Sequence, residues 1–165
     1  MGVKGLSARD MVRIAAIAAV YVVVTMVFAP FSYHIVQVRV SEALTVLPYL
    51  SRMAVPGLFI GCLLANFFGG LGLHDIVFGS LATLVAGYLT ARMPRPYLAP
   101  LPPVLVNALV VGWYLSLLMN QPFLVVASYV GLGQLVACYG IGYPLLLFLQ
   151  ARPFFRHLLS DRERV

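Results

Sequence analysis

Glu42 and Asp75 are two of only five acidic residues in this 165-residue chain, and each stands at the head of an apolar run. Scattered singly through the same apolar sequence are Arg39, Asn66, His74, Asn107, Trp113, Tyr114, Tyr129 and Gln134. Carboxylates, amides and aromatic rings in such surroundings are suited to holding a small polar ligand by hydrogen bonds and ring contacts. They are poorly suited to breaking bonds. There is no Gly-x-x-x-x-Gly-Lys-[Ser/Thr] loop for nucleotide phosphates, no His-Glu-x-x-His and no pair of carboxylates at working spacing. His74 and Asp75 are neighbours, so on a helix they point in different directions, and no further His or Cys joins them to hold a metal. A small intramembrane enzyme using Ser41 or Ser80 with His74 lacks anything that sets a serine against that imidazole. The expectation is a binding protein with no catalytic residue, metal or cofactor.

These residues have to be positioned by elements that live in lipid. The chain is 62% hydrophobic and 10% charged, with a mean hydropathy of +0.97, against roughly 45–50% apolar and 25% charged in soluble domains. A helical crossing of the hydrocarbon takes about 20 apolar residues, which leaves room for at most about six or seven crossings and no separate soluble domain. The fold expected is therefore all-α: an integral, multi-pass cell-membrane protein, one transmembrane domain over 1–165. Apolar runs place the spans at about 11–29, 36–51, 55–69, 74–91, 102–118 and 124–149. Pro30, Pro56, Gly69-Gly70-Leu71-Gly72, the Pro-rich 93–103 stretch and Gln121-Pro122 mark the joints. The second run is the shortest and its limits are the least defined. The first follows Lys4, Arg9 and Arg13 in the manner of a signal peptide, but further spans come at once, which favours an uncleaved first helix. The net charge of +6 is spread singly along the chain and makes no nucleic-acid recognition stripe. Cys62 and Cys138 read as packing residues.

With both termini in the cytoplasm, ten of the eleven Lys and Arg fall on the cytoplasmic side and only Arg39 falls outside, as the positive-inside rule requires. Depth then follows at 1.5 Å per residue of helix. Arg39, Glu42, Asn66, His74, Asp75, Trp113, Tyr114, Tyr129 and Gln134 all come to the outer half, on five different spans, as the lining of a pocket open to the exterior would. Each has a plainer use. Arg39 can snorkel, Trp113 and Tyr114 can belong to an aromatic belt, Asn66 can join two helices, and Asp75 can cap the fourth helix. Asn107 lies deeper and reads as packing. Glu42 needs a partner, either Arg39 one turn away or a donor-rich ligand, and the ligand is the favoured reading. Small residues at i, i+4 spacing (Gly61, Ala65, Gly69; Gly79, Thr83, Gly87; Ala15, Ala19) allow close helix packing.

Long stretches of the chain resemble a known family. Val38-Arg39-Val40-Ser41-Glu42-Ala43-Leu44-Thr45-Val46-Leu47-Pro48, then Pro56-Gly57-Leu58-Phe59-Ile60-Gly61-Cys62-Leu63-Leu64-Ala65-Asn66, then Gly70-Leu71-Gly72-Leu73-His74-Asp75-Ile76-Val77-Phe78-Gly79-Ser80 are similar to the QueT family of queuosine-precursor transporters. The likeness continues at 107–114 and 131–144. It implies a six-helix bundle of the kind found in substrate-binding S components of energy-coupling factor transporters. It also implies capture of a 7-deazaguanine (queuine or its aminomethyl or cyano precursor) from outside, with a transmembrane coupling subunit and two cytoplasmic ATPases as partners. A loop after the first helix, here about 30–39, would help close the pocket, and Ala15 with Ala19 matches the Ala-x-x-x-Ala pair that contacts the coupling subunit. In this reading Glu42 accepts two adjacent N–H donors of the base, Asn66 and Gln134 read its carbonyl and ring nitrogens, and Trp113 or Tyr114 stacks on it. The chain departs from the family pattern at Gly133-Gln134, where a Gly-Glu pair is expected. Glutamine can still bond the base edge but cannot neutralise an ammonium, a task Asp75 can take if it faces the pocket. The rival reading is a stand-alone, ion-coupled carrier for a nucleobase or vitamin, with Glu42 or Asp75 as the titrating group.

Overall fold

The computed structural model describes residues 7–28, 39–70 and 72–153. The loop at 30–38 and the basic residues Lys4, Arg156, Arg162 and Arg164 lie outside them. Among the described residues there is no strand, and six helices follow one another: α1 (Ala8–Val27), α2 (Val40–Tyr49), α3 (Ala54–Gly69), α4 (Asp75–Thr90), α5 (Leu101–Met119, behind a 3-10 turn at Pro96–Leu98) and α6 (Phe123–Ala151). The all-α expectation holds. The helices α1, α6 and the Pro96–Met119 segment are long and apolar enough to cross a membrane, while α3 and α4 are apolar but shorter.

Local chemistry explains the helix ends. At the start of α1 the Ser7 hydroxyl accepts from the Asp10 amide at 3.2 Å, and the Asp10 carboxylate accepts from the Ser7 amide at 3.1 Å, a reciprocal capping box. Proline lies in the first turn of α5, where its missing donor leaves no gap in the helix. Gly70, with φ of +70°, closes α3 in the left-handed conformation that a glycine takes without strain.

The glycines that the sequence marks for packing sit at helix contacts. A Cβ on Gly61 would stand 2.8 Å from Tyr21 Cβ and 3.0 Å from the Ala18 carbonyl oxygen, so α3 meets α1 nearly backbone to backbone. Gly112 brings α5 equally close to Ala127 of α6. The outward faces carry Val12, Val23, Phe67, Phe68, Leu109, Leu117, Leu124 and Leu132, all exposed, as suits a bundle solvated by lipid rather than water.

The second element differs from its expected form. Within the expected span of 36–51, the described residues form a ten-residue 3-10 helix at Val40–Tyr49 rather than an α-helix. It runs through the middle of the bundle, packed on α1, α3, α4 and α6 and buried along most of its length. A 3-10 helix rises about 2.0 Å per residue, so ten residues cover about 20 Å where an α-helix covers about 15 Å. Three residues per turn also set Arg39, Glu42, Thr45 and Pro48 in one line. Two π-helical stretches flank this strut, Asp75–Gly79 at the head of α4 and Val136–Gly142 within α6. A Cβ at Gly142 would stand 2.8 Å from the Ala43 carbonyl oxygen, so α2 lies directly on the second of them.

Candidate ligand-binding site

The polar residues meet in two linked clusters around α2. The first lies near the end of the bundle where α1 and α3 finish and α4 begins. Asp75, 2% exposed, opens the π turn of α4. Its Oδ1 accepts a hydrogen bond from the Tyr114 hydroxyl of α5, and its Oδ2 lies 3.5 Å from Nη2 of Arg39. Arg39 also donates to the side-chain oxygen of Asn66 on α3, and Asn66 returns its amide to the Asp75 carbonyl oxygen at 2.8 Å. Gly79 makes this approach possible: a Cβ there would stand 2.9 Å from Asn66 Nδ2. Asn66 and Thr83 both point at the Cys62 sulfur, at 3.5 and 3.3 Å.

The second cluster is one turn deeper and centres on Glu42, 1% exposed. Oε1 accepts from the Tyr21 hydroxyl at 2.5 Å and Oε2 from the Asn107 amide at 3.2 Å. Beneath it, Thr45 Oγ1 donates to the Glu42 carbonyl oxygen at 2.5 Å, and the Cys138 thiol lies 3.5 Å from the same oxygen and 3.4 Å from Gln134 Oε1. Thr25 bridges Ser41 Oγ at 2.7 Å and the Tyr21 carbonyl at 2.8 Å, which ties α1 to α2. A carboxylate has about four acceptor positions. Each oxygen of Glu42 therefore keeps capacity for a second donor after Tyr21 and Asn107 are satisfied.

The structure brings together Arg39, Glu42, Asn66, Asp75, Tyr114 and, at the edge, Gln134. Arg39 is 7% exposed, which sets aside the snorkelling alternative, and the carboxylate of Asp75 is engaged by Tyr114 and Arg39 rather than capping its helix. His74 and Trp113 stand apart. His74 is exposed and its ring stacks on Phe78 at 6.4 Å, while Trp113, 48% exposed, meets Phe78 edge-on at 5.8 Å. Phe78 itself stacks on Tyr114 at 6.1 Å, so the aromatics form a wall leading from the surface to Asp75. Ser41 is bonded to Thr25, and Ser80 Oγ has no hydrogen-bond partner among the described residues, so neither serine is set on His74.

Two participants, Tyr21 and Thr45, were not singled out from the sequence, and two more, Asn107 and Cys138, read there as packing. Asn107 holds Glu42, and Tyr21, Thr45 and Cys138 complete the deeper cluster. The available signal was Tyr21 and Thr25, one turn apart and carrying the hydroxyls of an otherwise apolar run. Ala15 and Ala19 are exposed on α1. The side of that helix that meets α3 carries Ile14, Ile17, Ala18 and Tyr21 instead.

Comparison with known proteins agrees with this architecture. A curated relative, the "Queuosine precursor transporter QueT" of Lactococcus lactis subsp. cremoris (strain MG1363), is 37% identical over 78 residues, which is 46% of this chain and 46% of the relative. The match thus spans a little under half of that relative's length. No solved structure matches. The family model described as QueT transporter matches residues 11–151, nearly the whole of the described bundle. The chain is a helical membrane protein that belongs to the QueT transporter family.

Proposed function

We propose that the protein is the membrane-embedded, substrate-binding subunit of an energy-coupling factor type importer, and that it captures a 7-deazaguanine queuosine precursor from outside the cell. The carrying observation is the buried pair of carboxylates, Glu42 and Asp75, brought from different helices to the same side of the bundle with one guanidinium, Arg39, between them. A 7-deazaguanine offers adjacent N–H donors at its ring nitrogen and exocyclic amine, which Glu42 accepts through one position on each oxygen. Asn66 and Gln134 read its carbonyl and ring nitrogen, and Tyr114 contacts the ring face. The name of the bacterial relative, a queuosine precursor transporter, supports this substrate class.

The charge count narrows the choice within it. Two acids and one base in this network leave one formal negative charge, and a buried charge is retained only when paired. A cationic aminomethyl precursor supplies the missing charge to the network that Glu42 and Asp75 share, in place of the acid that Gln134 lacks, and Asp75 is the acid nearer the surface for it to approach. Both termini lie in the cytoplasm in this reading, which puts Asp75 on the outer side where substrate arrives. ATP hydrolysis belongs to two partner ATPases, and the exposed Ala15 and Ala19 face of α1 is the contact for the coupling subunit.

Calorimetry on the purified protein with queuine, its aminomethyl and cyano precursors, and guanine tests this. The aminomethyl compound is expected to bind tightest, and Glu42→Gln to lose about 2–5 kcal/mol, the range for stripping a partner from a buried charged hydrogen bond. Wild-type affinity in that variant removes Glu42 from the site. Uptake by the chain alone in sealed vesicles, driven by a proton gradient and indifferent to ATP, establishes the ion-coupled carrier instead.

A further inference from the structure

At the opposite end of the bundle, where α1 starts and α4 finishes, the structure contains a cavity of about 260 Å³ lined by Arg52, Val55, Tyr88, Ala91 and Arg92. It takes no part in the network around Glu42 and Asp75. Its two arginines come from separate places, Arg52 from the turn between α2 and α3 and Arg92 from just beyond the end of α4. Both are exposed. The Arg92 guanidinium sits over the Tyr88 ring, 3.5 Å from its centroid, an arrangement that fixes the direction in which its N–H groups point.

We propose that this cavity is a binding site for the phosphate headgroup of an anionic phospholipid. Two guanidiniums around one opening suit a phosphodiester, which each can engage with parallel N–H donors. The walls argue for a lipid over a free phosphate. Val55 and Ala91 give the cavity an apolar side, and the helices that frame it continue into lipid-facing surface, with Val85 50% and Leu89 38% exposed on α4 and Ile60 41% exposed on α3. A headgroup held by Arg52 and Arg92 leaves its acyl chains against that surface. Tyr88, 54% exposed with its ring beneath a guanidinium, occupies the amphipathic position of an interfacial aromatic. Basic pockets between helices at a membrane face are suited to such headgroups.

The test is native mass spectrometry and thermal stabilisation of the detergent-purified full chain. The probes are dioleoyl phosphatidylglycerol, dioleoyl phosphatidylcholine and, as the soluble headgroup, glycerol 1-phosphate. Phosphatidylglycerol is expected to be retained and to stabilise, with phosphatidylcholine and glycerol 1-phosphate at least about tenfold weaker. The double variant Arg52→Gln/Arg92→Gln is expected to weaken phosphatidylglycerol about 30-fold, from about tenfold per 1.4 kcal/mol and about 1 kcal/mol for each basic residue. Ala91→Phe, which fills the cavity without altering charge, is expected to lose the lipid as well. Arg95→Gln removes one exposed charge outside the cavity and is expected to leave affinity within about threefold. Unchanged phosphatidylglycerol affinity in the double variant or in Ala91→Phe overturns the site, and so does an equal loss in Arg95→Gln. Glycerol 1-phosphate binding as tightly as the lipid replaces the lipid with a soluble phosphate.

Discussion

The ion pair between Arg39 and Asp75 joins α2 to α4 inside the bundle, and a double-mutant cycle measures what it contributes. Asp75→Asn keeps an acceptor for the Tyr114 hydroxyl but leaves the Arg39 guanidinium, 7% exposed, without its charge partner. Breaking a buried pair from one side costs about 3–5 kcal/mol. Arg39→Met has a similar cost from the other side, since it strands the Asp75 carboxylate and removes the donor to Asn66. With both changed, neither member of this pair is left buried without the other. The double variant is therefore expected to be no less stable than either single one, a coupling of at least about 3 kcal/mol, the cost of one single change. The readout is reversible unfolding in mixed micelles, where a total stability of about 5–15 kcal/mol makes each single change conspicuous. Single costs that add within about 0.5 kcal/mol in the double variant refute the reasoning, because residues that do not interact behave that way.

Ala19→Leu is expected to abolish co-purification with the coupling subunit while leaving ligand affinity intact, because Ala19 is on the exposed side of α1; unchanged co-purification defeats the assignment. Gly61→Ala is expected to destabilise by about 1–3 kcal/mol through overpacking against Tyr21 Cβ, 2.8 Å from the new methyl. Because Tyr21 also holds Glu42, ligand affinity measured by calorimetry is expected to fall in the same variant, and a stable protein with full affinity would show that the α1–α3 contact does not set the carboxylate.

Much of this was legible from residue types. An intramembrane acid is so costly that Glu42 and Asp75 could be singled out from a single sequence, and both prove to be buried and multiply bonded. Asn66, Tyr114 and Arg39 follow for the same reason, since a polar group at that depth has to find a partner. What sequence could not resolve was direction around a helix axis. Trp113 and Tyr114 are adjacent, so about 100° separates them on an α-helix, and only one of the two can face Asp75. Burial chooses Tyr114 and leaves Trp113 half exposed. His74 and Asp75 divide in the same way. Asn107 was mistaken for packing because depth was counted from the ends of the spans, whereas its partner Glu42 descends on α2, whose rise per residue is not that of an α-helix.

That altered rise connects the fold to the site. The run from Val40 to Tyr49 is too short for an α-helical crossing, and its burial on nearly every side removes any lipid-facing surface for it to present. Stretched as a 3-10 helix, it lines up Arg39, Glu42 and Thr45 at single-turn intervals of about 6 Å. An α-helix would turn residues three apart by about 300°, so Arg39 and Thr45 would diverge by about 120° over their six-residue separation. The straight column lets Arg39 meet Asp75 and Asn66 from α4 and α3 while Glu42 meets Tyr21 and Asn107 from α1 and α5. The π-helical stretches at Asp75–Gly79 and Val136–Gly142 deliver Asp75 and Cys138 to the same column from either side. Three departures from α-helical geometry thus coincide at the polar centre of an otherwise α-helical bundle: the 3-10 strut is enclosed by protein, where irregular backbone is tolerated, and the two π stretches turn Asp75 and Cys138 inward while Val77, Val136 and Ile141 stay exposed.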